Sequence, residues 1–167
     1  MLFYNKSLDV NHTLLRVSSI VMQFDTKTIE VERLRIFDFI VSNPVHISQM
    51  SLGVDLIKER NKFRGYKNRY QKFDPKSLFE TMRPIQEAVF ATLKEFNVLI
   101  EIENSTRLRI NSNALPEELI SIAQNNSNSI SIQAIDFIKT HLIDYELIGG
   151  RGLKSASRLM EYKYDAT

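Results

Sequence analysis

Seven basic side chains fall within residues 58–72: Lys58, Arg60, Lys62, Arg64, Lys67, Arg69 and Lys72. They stand against one acid, Glu59, and are interleaved with Phe63, Tyr66 and Tyr70. Cationic heads among flat rings suit a nucleic-acid backbone with stacked bases, or an acidic protein surface. The same spacing also reads as a helix whose Phe63, Tyr66, Tyr70 and Phe73 turn to the core behind a solvated basic face. The residues leave both readings open.

Other candidate chemistry is thin. His12, His46 and His141 have no metal-ligand spacing and read as capping or surface histidines. Carboxylates are scattered rather than paired for acid–base work. Gly149-Gly-Arg-Gly-Leu-Lys-Ser155 lacks the Gly-Lys-Ser/Thr order of a phosphate loop and reads as a helix stop. No serine sits in a nucleophile elbow, and there is no cysteine to supply a thiolate or a disulfide. The expectation is a non-enzyme with no cofactor, whose function lies in binding.

The elements that must position the basic run lie on either side of it. Downstream, Asp74 and Pro75 are an N-cap and first helical residue. Pro84 is expected to break that helix and start a second. In the second, Ile85, Ala88, Val89, Leu93 and Phe96 recur at helical spacing, and Asn97 suits a left-handed end. Strands follow at 98–103 and 107–111. A three-residue loop, Asn104-Ser105-Thr106, would set Glu103 against Arg107, Ile102 against Leu108, Glu101 against Arg109 and Ile100 against Ile110, keeping the faces unmixed. Helix, break, helix and hairpin is the winged-helix pattern.

Upstream, a first helix begins near Leu14, capped by Asn11 or Thr13, and residues 25–28 form a turn. Residues 29–42 make a central helix that is apolar over most of its circumference, stopped by Asn43-Pro44. A connection at 45–51 and a short helix at 52–59 lead into the basic run. Beyond the hairpin, Pro116 with Glu117 and Glu118 opens a helix through Gln124, and residues 124–129 form a loop. A long helix at 130–147 turns Ile135, Ile138, Leu142 and Tyr145 inward, and the tail from Arg151 has weak order signals. The predicted fold class is mainly α with a small β-hairpin: a winged-helix-like core at 1–115 plus additional helices at 116–167.

Composition is ordinary for a globular chain, with 43% hydrophobic and 25% charged residues and a net charge of +2. No apolar run reaches membrane-spanning length, and the start, MLFYNKSLDV, lacks an export pattern, so a cytoplasmic protein without membrane contact is expected. DNA reading by the second helix is disfavoured. Its outward face would carry Glu87, Ala91 and Lys94 flanked by Glu95 and Phe90, and the hairpin arginines are expected to pair with Glu101 and Glu103.

The runs Leu14 to Phe24, Glu32-Arg-Leu-Arg-Ile-Phe-Asp-Phe-Ile-Val-Ser-Asn-Pro44 and Ile85-Gln-Glu-Ala-Val-Phe-Ala-Thr-Leu, with Val98-Leu-Ile100, resemble the middle components of bacterial ABC-three-component systems of the Lamassu type. The likeness spans about residues 10–111. It implies a non-catalytic accessory subunit of an anti-phage and anti-plasmid defence complex. Its implied partners are an SMC-like ABC ATPase and an effector, often a nuclease, with non-specific DNA contact at most. The alternative is a winged-helix transcription regulator that binds DNA through residues 58–72.

Overall fold

The computed structural model describes residues 4–24, 27–66, 74–125 and 130–160. Its first helix, α1 (Val10–Val21), starts earlier than Asn11 or Thr13 would allow. Asp9 holds an extended backbone and accepts a hydrogen bond from the His12 N–H at 2.9 Å, so the cap belongs to Asp9. Thr13 lies inside the helix, where its hydroxyl donates to the Asp9 carbonyl.

The segment expected to open the central helix splits in two. Thr28–Glu30 is a strand, β1, and α2 (Val31–Ser42) begins only after it. The β-branched Thr28 and Ile29 pair with a strand 80 residues away in the chain, a contact no local pattern reports. Every residue of α2 from 33 to 41 is buried, charged ones included, and Asn43 ends it as expected. Pro44–Gln49 and Val54–Leu56 are tight 3₁₀ turns, α3 is Ile57–Asn61, and another 3₁₀ turn, Lys62–Gly65, follows.

Asp74 caps the next helix by accepting from the Ser77 N–H, with Pro75 in the first turn. That helix, α4 (Pro75–Glu95), is continuous through Pro84, so the expected break does not occur. Pro84 lies on the exposed side, where water can serve the carbonyl that its missing N–H leaves free. Burial of Leu78, Phe79 and Met82 before it, and Gln86, Val89, Phe90 and Leu93 after it, holds both halves to one axis. Phe90 is thus a core residue rather than an outward one, while Phe96 is exposed. The end of α4 follows expectation. Asn97 has φ 57°, its N–H reaches the Lys94 carbonyl, and the Val98 N–H reaches that of Leu93. Leu93 and Val98 are both fully buried, which completes a Schellman motif.

Strands β2 (Leu99–Glu101) and β3 (Arg107–Ile110) complete an antiparallel sheet of order β1-β3-β2. Its register corrects the expected one. Leu99 faces Ile110, Ile100 faces Arg109 and Glu101 faces Leu108. The turn forms early: the Ser105 N–H bonds the Ile102 carbonyl at 3.2 Å, with Asn104 at φ 56°. The expectation counted two strands and needed Ile100 for the inner face. The third strand supplies Ile29 opposite Leu108, so Leu99, Leu108, Ile110 and Ile29 close the core without Ile100.

The C-terminal part packs on the same helices. Helix α5 (Glu117–Asn125) lies on α1, and α6 (Ile132–Phe137) and α7 (Leu153–Ser157) lie on α2. Ile135, Ile138 and Leu142 turn inward as expected, but the helix does not reach 147. A π-helical turn, Ile138–Leu142, ends it, and the Arg33 guanidinium takes the Leu142 and Ile143 carbonyls at 3.2 and 3.4 Å. Residues 151–160, the described part of the tail, are packed rather than loosely placed. Leu153, Ala156 and Leu159 are buried, and a Cβ at Gly152 would meet the Ile148 carbonyl oxygen at 2.3 Å. Of the loop expected at 124–129, residues 124 and 125 belong instead to the last turn of α5, and 126–129 lie outside the described residues.

Candidate partner-binding surface

Where the buried charge goes decides which charges are left for binding. Arg16 of α1 and Asp38 of α2 are both fully inside, with Nε to Oδ1 at 2.8 Å. Arg16 also donates to the Lys6 carbonyl and the Thr13 hydroxyl. Gln86 of α4 donates to Asp38 Oδ2 at 2.9 Å and to the Arg35 carbonyl, and its Oε1 accepts from Arg35 Nε at 3.0 Å. Arg35 then reaches Glu32 at 2.9 Å and stacks over the Phe79 ring, 4.3 Å from its centroid. Burial weighs against the Arg35 charge and Glu32 supports it. The network joins α1, α2 and α4 and ties these buried groups to one another. Sequence reading missed it. The available signal was Arg33, Arg35 and Asp38 inside a helix otherwise apolar on every side.

The basic run is anchored at both ends of its described part. Leu56 and Phe63 are buried, and Phe63 stacks on Tyr66 with centroids 5.5 Å apart and meets Phe137 edge-on at 5.3 Å. The core reading therefore holds for Phe63, whereas Tyr70 and Phe73 lie outside the described residues. Arg60 is a structural donor, with NH1 on the Met50 carbonyl at 2.8 Å. Lys62 is held by Glu59 at 2.6 Å. Lys58 and Arg64 are exposed without an ion pair among the described residues. Lys67, Arg69 and Lys72 lie outside them. Beside Lys58, one helical turn back, Val54 is 85% exposed and Ile57 is 37% exposed. The segment thus presents two aliphatic side chains, and two cations without an ion pair among the described residues, above the buried Leu56 and Phe63.

A groove of about 420 Å³ borders this segment, lined by Glu59, Lys62, Phe63 and Tyr66 on one side and Asp136, Phe137 and His141 on the other. Its aromatic floor is the continuation of the core stack. Among the described residues, no three His, Asp or Glu side chains stand close enough to hold a metal.

The hairpin arginines are placed differently from expectation. Glu101 pairs with Lys94 of α4 at 2.7 Å, not with Arg109. Arg107 reaches across to β1, with Glu30 at 3.4 Å and the Thr28 hydroxyl at 3.0 Å. Burial pushes the Glu30 carboxyl up, but hydrogen bonding from Arg33 and the charges of Arg33 and Arg107 hold it below the usual range. Arg109 is exposed and has no ion pair among the described residues.

The histidines are structural. His12 donates its backbone N–H to Asp9 in the first turn of α1 with its ring 6.1 Å from that of Tyr4, and His141 packs on Phe137. His46 is buried, edge-on to Phe39, with Nε2 at 2.7 Å from the Ser157 carbonyl. Burial pushes its pKa down, so it is a neutral donor that ties the first 3₁₀ turn to α7. Two more bonds reinforce the tie: the Ser51 N–H to the Ala156 carbonyl, and Arg158 Nε to the Ser51 hydroxyl.

Among the described residues no helix is long and apolar enough to cross a membrane. A family model described as ABC-three component (ABC-3C) system Middle Component 5 matches residues 2–165, well beyond the stretch from 10 to 111 that carried the resemblance. No curated protein matches the chain, and no solved structure does.

Proposed function

The chain belongs to the ABC-three component system Middle Component 5 family, and from that premise we propose that it is a non-catalytic accessory subunit of a Lamassu-type defence complex. In this reading it bridges or regulates an SMC-like ABC ATPase and an effector, often a nuclease, and works in the cytoplasm. The observation that carries the reading is the segment around α3. Its inner side is locked by Leu56, Phe63 and Arg60, and its outer side offers Val54, Ile57, Lys58 and Arg64. Preformed aliphatic anchors with a charged rim are what a protein interface uses. Lys62, Lys67, Arg69 and Lys72 extend the same basic run, and Arg60 braces it.

The order α1-β1-α2-α3-α4-β2-β3, with the strands arranged β1-β3-β2, supports a winged-helix-like core at 1–115 and a helical extension at 116–167. The alternative, a winged-helix regulator reading DNA, gains little support from α4. Its outward charges balance, since Arg83 pairs with Glu80 and Lys94 with Glu101. A phosphate groove needs an excess of cations.

Co-expression with the other components of its system tests the proposal. The expected result is a stable hetero-complex burying on the order of 1,600 Å², and the variant Val54→Asp with Ile57→Asp should lose it. Elution as a monomer beside those components would overturn the reading. DNA binding by the protein alone should be weak, indifferent to sequence and steeply salt-dependent. A single operator preferred by about 10³-fold or more over random DNA would establish the regulator instead.

A further inference from the structure

We infer that the outer face of the three-stranded sheet is a second docking surface, fitted to an extended acidic segment of another component of the same system. The inference rests on the accessory-subunit reading and adds a site to it.

The register carries the argument. Strand pairing puts Thr28, Arg109 and Ile100 in one row across the sheet, with Glu30 and Arg107 in the next. All project away from the core that Ile29, Leu99, Leu108 and Ile110 close. Arg107 is fixed in place by Glu30 and Thr28 yet remains 47% exposed. Arg109 has no partner among the described residues. Glu30, the acid that the strands themselves bring to this face, is already shared between Arg33 and Arg107, and Asp144 and Glu146 line the pocket beside Arg107, so the unpaired positive charge of the face lies at Arg109.

Two features choose the occupant. Alternate residues on a strand stand about 6.8 Å apart, so Arg107 and Arg109 match alternate carboxylates of a second extended chain laid over them. Ile100 sits in the same row as Arg109 and is only half-buried. An aliphatic side chain gains from a peptide's apolar residue and gains nothing from a phosphate backbone. A protein segment that alternates acidic and apolar residues satisfies both.

The test is assembly of the full-length chain with its co-expressed system components, compared among wild type, Arg109→Glu, Ile100→Asp and Arg109→Lys, each checked for an unchanged melt. Arg109→Glu and Ile100→Asp should each weaken assembly by about tenfold or more, while Arg109→Lys should keep most of it. A photo-crosslinker in place of Ile100 should trap a peptide rich in Asp and Glu. Wild-type assembly undiminished by Arg109→Glu and Ile100→Asp would overturn the docking surface and leave the accessory reading standing. Failure of the wild type to assemble at all would overturn the accessory reading and this inference with it. Loss of DNA binding with assembly intact would assign the face to phosphates and likewise overturn it.

Discussion

Asp38 accepts from Arg16 on one side and Gln86 on the other, and none of the three side chains touches water. Such an ion pair adds little over an apolar pair of the same shape, but removing one partner strands a buried charge. Asp38→Ala should therefore lower stability by about 3–5 kcal/mol in a urea titration. A loss near that of a surface substitution would show that water reaches Arg16. His46 gives a different signature. Burial lowers its pKa below the ordinary 6.5, so just under that value the unfolded chain binds more protons than the folded one. Stability should fall as pH drops from about 6.5 toward 5, and the loss should level off once pH passes below the folded pKa. His12 shifts the same way, so His46→Gln should flatten the melting temperature between those pH values in part rather than fully. Equal slopes for wild type and variant would show that His46 titrates alike folded and unfolded.

Helix α4 tests how far burial can overrule a local stop. Pro84 removes one backbone bond and crowds the preceding turn, yet the buried rows on either side of it share a single axis. If the helix carries that strain, Pro84→Ala should stabilise the protein, by at most about 3 kcal/mol and less by whatever entropy proline removed from the unfolded chain. The measurement is a thermal or urea melt. A neutral or destabilising effect would mean that the backbone departs from the helix at Pro84. At the other end of α4 no such conflict arises, because Asn97 is one of the few residues that take a left-handed turn at low cost.

For the molecule as a whole, the C-terminal helices matter as much as the sheet. The hydrophobic cluster runs without interruption from Val17 and Phe37 through Leu115, Ile135 and Leu142 to Leu153 and Leu159. Leu153 is fully buried, and Leu153→Ala should cost about 2–5 kcal/mol while the protein still melts in one transition. Two transitions, with only the later one unmoved, would mean that the last helices unfold apart from the rest. This shared core also sets which charges are covered and which stay at the surface. Arg16, Arg33 and Arg35 are spent inside, and Lys58, Arg64 and Arg109 remain outside.

By itself the sequence determined what short-range physics controls. The Asp74 cap and helix start, the helix opened by Pro116, the stops at Asn43 and Asn97 and the hairpin near Asn104 follow from side-chain capping, fixed proline dihedrals and left-handed tolerance, which act within a few residues. Phe63 was legible as a possible core residue for the same reason, its place in a helical stripe. Tertiary structure alone decided the features that depend on partners far along the chain. The hairpin register turned on Ile29, brought in as a third strand. The continuity of α4 turned on core rows before and after Pro84. The end of α6 turned on Arg33, more than a hundred residues earlier. Whether an arginine is a surface cation or a buried strut is set by what packs over it, and neither composition nor periodicity carries that information.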